Sequence, residues 1–146
     1  MVPERVFHYY CRPTERSIVD ASVQFVSASD FLSDEPACKI FWQLIDSQFR
    51  TRSKFLTIWQ CVSFVAVHRR GDGSADGFLL VSAPVNWQID YVVVHPDSRG
   101  QGIASKLVKQ TLAQAGKLGV PYVMLSSNES LRSMYEGCGF RVISES

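Results

Sequence analysis

The segment Val92-Val93-Val94-His95-Pro96-Asp97-Ser98-Arg99-Gly100-Gln101-Gly102-Ile103-Ala104 constrains the fold of this chain more than any other, because an apolar strand runs through a glycine-containing turn directly into an amphipathic helix. The first turn of a helix leaves several backbone N–H groups unpaired at the positive end of the helix dipole, and glycines let an anion approach them closely. The arrangement predicts a pyrophosphate cradle, although a glycine turn that merely tightens a strand-to-helix junction would look the same. Two common nucleotide motifs are excluded. The dinucleotide pattern G-x-G-x-x-G fails because Ser105 stands where its third glycine is needed, and the P-loop pattern fails because Gly102-Ile103-Ala104-Ser105-Lys106 lacks the G-K-[ST] ending.

Composition narrows the partners. With 146 residues, 46% apolar and 20% charged, residues 1–146 fit one globular domain. A formal net charge of +1 gives no basic excess of the kind nucleic-acid binders show, so any anion must be held locally. No apolar run approaches the roughly 18 residues of a membrane span and the N-terminal residues carry no signal-peptide core, which points to a cytoplasmic protein without a membrane partner. Cys11, Cys38, Cys61 and Cys138 lie far apart with no C-x-x-C pair, so free thiols are expected rather than a disulfide framework or a zinc site. Arg70-Gly71-Asp72 reads as a hairpin turn.

Periodicity supplies the element order. Strands are expected over Val6 to Cys11 and Ser17 to Val26. A helix starts at Asp34-Glu35-Pro36 and carries Ile40, Phe41, Leu44, Ile45 and Phe49 at helical spacing to about Arg50. Three strands follow in sequence and are expected to pair antiparallel: Phe55 to His68, Gly77 to Ala83 and Trp87 to Val94. From Gln101 the period becomes 3.6, with Ala104, Leu107, Val108, Thr111, Ala115 and Leu118 on one face until Gly119. Tyr122 to Leu125 is a short apolar strand. Ser126-Ser127-Asn128-Glu129 has the S-x-x-E capping pattern before Leu131, Met134, Tyr135 and Cys138, and Phe140 to Ser144 forms a last strand.

The segment from Ile89 to Ile143, a little over a third of the chain, resembles the GCN5-related N-acetyltransferase family. That family's coenzyme motif, [Q/R]-x-x-G-x-[G/A], appears as Arg99-Gly100-Gln101-Gly102-Ile103-Ala104, preceded by the V-x-P of Val94-His95-Pro96. Its second motif, N-x-x-A…Y-x-x-x-G-F, appears as Asn128 through Tyr135-Glu136-Gly137-Cys138-Gly139-Phe140, with Leu131 where a small residue is usual. The resemblance implies an α/β fold with a mixed, mostly antiparallel sheet, flanked by helices and splayed between the family's fourth and fifth strands. It also implies acetyl transfer from acetyl-coenzyme A, as co-substrate, to a primary amine by direct attack through a tetrahedral intermediate, with no metal.

Residue roles follow from the resemblance and from physical need. The N–H groups of Gly100 to Ala104, with Arg99, would hold the pyrophosphate. Backbone at Val92, Val93 and Val94 would bond the pantetheine amides as an added strand does, and an N–H near Val94 would polarise the thioester carbonyl. Asn128 belongs to the same coenzyme-binding set. Tyr135 corresponds to the family's proton or hydrogen-bond donor to the departing sulfur, whose thiol pKa of about 8.5 lies below tyrosine's of about 10. Three general bases compete: Asp90 on the strand leading to the cradle, Glu129 if the capping box does not occupy it, and His95 if its turn does not keep it at the surface. The acceptor is a small-molecule amine or an amine of a protein or peptide. A non-catalytic acyl-coenzyme A sensor, or an interaction domain of the same fold, is the competing class.

The C-terminus departs from the family pattern. Only six residues follow Phe140, enough for one strand where the family has two, the last inserted between its fifth and sixth. An unfilled slot leaves backbone groups unpaired. Val6 to Cys11 is expected to fill it, either within the chain or from the partner in a homodimer joined by terminal strands.

Overall fold

A computed structural model describes residues 5–13, 20–48, 62–82 and 86–145. The described strands are β1 (Val6–Cys11), β2 (Val23–Ser27), β3 (Val62–Arg69), β4 (Ala75–Ser82), β5 (Trp87–Val94), β6 (Val123–Asn128) and β7 (Arg141–Glu145). The helices are α1 (Ala28–Ser33), α2 (Glu35–Gln48), α3 (Ile103–Lys117) and α4 (Arg132–Gly137). The strands form one sheet in the order β2-β3-β4-β5-β6-β1-β7, antiparallel throughout except for the parallel β5–β6 pair. A parallel pair requires a crossover connection, and α3 provides it.

The core lies on both faces of this sheet. On one face Phe31, Ala37, Phe41, Leu44 and Ile45 of α1 and α2 pack on Val65, Val67, Phe78, Leu80 and Val93. On the other, Ile103, Leu107, Val108, Leu112 and Ala115 of α3 pack on Ala66, Leu79, Val81 and Ile89. Alternate residues of β4 thus serve opposite layers, and all but the last are buried, as the near-continuous apolar run Phe78 to Val81 requires of a central strand. Phe31 and Phe41 are core residues, their rings 5.6 Å apart. Phe55 and Cys61 lie outside the described residues, while Cys11, Cys38 and Cys138 are free.

Gly77 marks the tightest contact between sheet and helix. A Cβ there would lie 2.8 Å from Ile103 Cγ2 and 3.0 Å from Leu107 Cδ1. The Ile103 methyl is fixed to a branched Cβ and cannot swing aside, so α3 itself would have to move. Gly77→Ala is therefore expected to cost about 1–3 kcal/mol, seen as a lower urea midpoint at unchanged m-value. An unchanged midpoint would mean that α3 sits farther from β4 than these contacts require.

The N-terminal strand settles the question posed by the short C-terminus. β1 lies between β6 and β7, paired with β6 from Val6↔Asn128 to Cys11↔Val123 and with β7 from Phe7↔Glu145 to Tyr10↔Arg141. The chain fills the slot with its own first strand, and the pairing does not call for a strand from a second copy. Its inward residues Phe7, Tyr9 and Cys11 are buried in the α3–α4 layer.

Several expected boundaries shift. The second strand begins at Val23 and is followed by a separate helix, α1, capped by Ser27, whose Oγ accepts from the Asp30 N–H at 3.1 Å. Of the expected strand Ser17 to Val26, residues 17–19 lie outside the described part, as do residues 55–61 and Ala83 of the next two. Helix α3 begins at Ile103 rather than Gln101, with Gly102 as its cap.

The β6 end corrects a further expectation. No capping box forms at Ser126–Glu129: β6 continues to Asn128, because β1 is there to pair with Ser126, Ser127 and Asn128. Asn128 itself caps the following single 3-10 turn (Glu129–Leu131), its Oδ1 accepting from the Ser130 N–H at 3.1 Å. Glu129 is exposed in that turn, so the competition between capping and base that its spacing suggested does not arise.

Candidate active site

The sheet opens where β5 and β6 part. Their parallel pairing is confined to Trp87↔Val123, Gln88↔Met124 and Ile89↔Leu125, although both strands continue beyond it. The divergence has a local cause. Against β4, Leu80 pairs with Tyr91 and Val81 with Ile89, so Asp90 is the extra residue of a β-bulge, one position past the last β5–β6 pair. A bulge bends its strand and increases the local twist, which turns β5 away from β6. It also shifts the side-chain alternation. Trp87 and Ile89 face the α3 layer, and after the bulge Val92 and Val94 pack on that layer while Tyr91 and Val93 face α2.

A cavity of about 410 Å³ occupies the fork, lined by Gln48, Ile89 to Val92, Leu125 to Asn128, Leu131 and Tyr135. Asp90 is its carboxylate. Burial pushes the Asp90 pKa up from 3.8 to about 6, opposed only in part by the hydrogen bond from the Ser82 hydroxyl at 3.5 Å. Its Oδ2 is buried and has no hydrogen-bond partner among the described residues. A carboxyl so placed has a free lone pair for an incoming polar group and a pKa close to neutrality.

Tyr135, from α4, lines the same cavity. Its ring is 5% exposed and held between Tyr9 and Phe140, with centroids 5.5 and 5.9 Å away. Burial above all, then the neighbouring Cys138 and Tyr9, pushes its pKa up to about 12. The phenol stays protonated at neutral pH and so keeps its O–H available as a hydrogen-bond or proton donor. Asn128 lines this cavity as well, on the β6 side, and does not border the glycine turn.

A second cavity of about 560 Å³ lies over the glycine turn, lined among others by Val94, Arg99, Gly100, Gly102, Ile103 and Ala104. It shares Gln48, Val92 and Leu131 with the first, so the cavities at turn and fork adjoin. Leu131, the departure from the family motif, is 44% exposed and stands at the junction. Gly100 and Gly102 have φ of +79° and +73°, with open space where a Cβ would point. Glycine is needed there for its backbone conformation, which winds the N–H groups toward one side. No side chain caps the first turn of α3 and no acidic residue lies in it, so its N–H groups remain available to an anion. Arg99 is exposed and its Nε donates to the Val94 carbonyl at 3.3 Å. His95 caps the 3-10 turn Pro96–Ser98 by accepting from the Asp97 N–H at 3.1 Å and does not line the fork cavity.

One buried polar cluster beside the glycine turn escaped the sequence reading. Asp76 is 1% exposed and is the extra residue of a second bulge, because His68 pairs with Gly77 and Arg69 with Ala75. Its carboxylate meets His68 Nδ1 at 2.6 Å and Arg70 Nε at 3.6 Å. Arg70 in turn donates from Nε and Nη2 to the Ser98 Oγ at 3.0 and 2.9 Å. The signal available in the sequence was an aspartate interrupting a strand that is otherwise apolar from Ala75 to Val81.

The comparisons agree with this architecture. The sequence matches the model of the acetyltransferase (GNAT) family over residues 28–140. Among solved structures, a GCN5-related N-acetyltransferase from Sphaerobacter thermophilus superposes with a TM-score of 0.65 at 17% identity, covering 97% of this chain and 49% of that one. The IAA acetyltransferase from Bacillus cereus gives 0.66 at 20% identity, covering 84% and 77%. A Bacillus subtilis acetyltransferase in complex with CoA gives 0.66 at 16% identity, with the same coverages of 84% and 77%. This chain thus spans about half the length of the Sphaerobacter protein. No curated protein matches the sequence. At these identities the structural likeness shows the fold, and the family match over most of the chain, on a sheet that splays beside a glycine cradle, shows more: the chain belongs to the GNAT acetyltransferase family.

Proposed function

We propose that the protein transfers an acetyl group from acetyl-coenzyme A to a primary amine. The observation that carries this reading is that an uncapped helix terminus adjoins a fork that holds one carboxyl and one phenol of suitable protonation, with Gln48, Val92 and Leu131 bordering both cavities. The co-substrate's chemistry fits the two cavities together. The first-turn N–H groups of α3 and Arg99 suit the pyrophosphate, and the stretch of β5 from Val92 to Val94, without β6 beside it, suits the pantetheine amides. The likeness to a family member solved with CoA supports the same assignment.

The chemistry divides between the two side chains. Asp90, ionised above about pH 6, accepts a proton from the acceptor's ammonium group, directly or through one water. The neutral amine then attacks the thioester carbon, the C–N bond forms, and the C–S bond breaks. Tyr135 supplies a hydrogen bond or its proton to the sulfur, and the proton returns from solvent or from the product nitrogen. Backbone N–H groups of β5 near Val94 would stabilise the oxyanion.

Mixing the protein with acetyl-coenzyme A and a panel of amines, small-molecule and peptide, tests the reading. Free thiol should appear in equal amount with an acetylated product of mass increased by one acetyl group. Tight coenzyme A binding with no thiol release from any amine would instead favour a sensor or interaction domain.

A further inference from the structure

Resting on the reading of the glycine turn as the pyrophosphate site, we propose that Arg70, Asp76, His68 and Ser98 are positioning residues that hold this cradle in its binding shape. The cradle holds itself only weakly, its own side-chain tie being the exposed Arg99, whose Nε donates to the Val94 carbonyl at 3.3 Å. Gly100 and Gly102 are the least restrained residues a turn can contain, the first turn of α3 has no side-chain cap, and Gly100 to Gly102 are exposed. Most of the restraint on its shape must therefore come from outside.

The imposed restraints all converge on the end of the β3–β4 hairpin. The segment leaving β5 is tied by the His95 N–H, which donates to the Asp76 carbonyl at 2.7 Å. The 3-10 turn before the cradle is tied by Ser98, 3% exposed, whose Oγ receives both Arg70 bonds. Helix α3 just after the cradle is seated on Gly77, next to Asp76 in sequence. Asp76 links these ties, because its carboxylate orients Arg70 on one side and is itself fixed by His68 on the other. The bulge on β4 makes this possible: without the extra residue, the strand alternation would not bring the carboxylate onto His68. Arg70 is the accessible member, with its side chain 35% exposed, and its planar fork spans both Ser98 and Asp76 as an ammonium could not.

Positioning predicts a selective defect. Arg70→Gln and Ser98→Ala should each raise KM for acetyl-coenzyme A about five- to tenfold, the effect of losing one hydrogen bond to a charged group, while kcat and the KM for the amine stay within about twofold. Backbone amides of residues 99–105 should exchange hydrogen faster in both variants. Asp72→Ala serves as the control, since Asp72 braces the same hairpin through the Ser74 N–H at 2.9 Å and reaches Arg70 only through its charge, without a side-chain hydrogen bond to the four residues. It should lower Tm with little change in KM. The proposal is overturned if Arg70→Gln leaves both KM and exchange at residues 99–105 unchanged, or if Asp72→Ala raises KM as much. Hydrogen exchange needs no ligand, so it judges the network even if the wild-type protein binds no coenzyme A, a result that would defeat the functional reading alone.

Discussion

Tyr135→Phe is expected to lower kcat for acetyl transfer by about 100-fold while leaving coenzyme A affinity unchanged, the lower end of the range for a positioned proton donor. The substitution removes one oxygen and keeps the ring, which stays packed at 5.5 Å from Tyr9 and 5.9 Å from Phe140. Stability should therefore move by less than about 1 kcal/mol. The wild-type phenol, with its pKa near 12, stays protonated across the usual assay range, so the donor contributes no acidic or neutral limb to the pH profile. The effect should scale with leaving group: a thioester of a more acidic thiol needs less help from a donor, and the gap between variant and wild type should narrow. A kcat within threefold of wild type would remove Tyr135 from the reaction.

Asp90→Asn should have an effect of similar size on turnover and the opposite sign on stability. In the wild type, the base is competent only when ionised, so activity should rise with pH through about 6 and level off above it. The asparagine variant should lose that limb and fall by about 100-fold at pH 7, with partial recovery at alkaline pH as the acceptor amine loses its proton unaided. For stability the direction follows from linkage. The folded-state pKa, about 6, lies above the ordinary 3.8, so Asp90 favours the fold fully below the unfolded value, and that contribution is lost as pH rises through about 6. At pH 7 the ionised carboxylate is a liability. Asp90→Asn is expected to stabilise the protein there by about 1–2 kcal/mol, after allowing for partial solvent access, and to make no such difference at pH 3. Thermal melts at the two pH values check this. A variant that is inactive and less stable at pH 7 would assign Asp90 a structural role instead.

These two residues were legible to different degrees. Tyr135 sits in a spaced motif, and both its helix and its place at the fork follow from that spacing. Asp90 was one candidate of three, because a strand aspartate points either into a site or out to solvent and alternation alone cannot say which. The bulge decided that it lines the fork, and a bulge depends on how two strands pair rather than on the residues of either one. The same holds for Asp76. The false capping box has the mirror-image explanation: Ser126 to Glu129 has good local chemistry for a helix start, but β1, more than a hundred residues earlier, offers six backbone partners and draws the segment into the sheet. Helix α1 went unread because its six residues are too few to show a helical period.

What the sequence determined by itself was everything carried by local pattern: the order of most strands and helices, the amphipathic faces, and the glycine turn between strand and helix. Tertiary structure alone decided where charge becomes chemistry. Burial shifts a carboxyl's pKa only when a second layer covers it, and a bulge aims that carboxyl only when a neighbouring strand is in register. An N-terminal strand fills a C-terminal gap only when the sheet has closed around it. Each of these is a long-range pairing, and no window along the chain contains both partners.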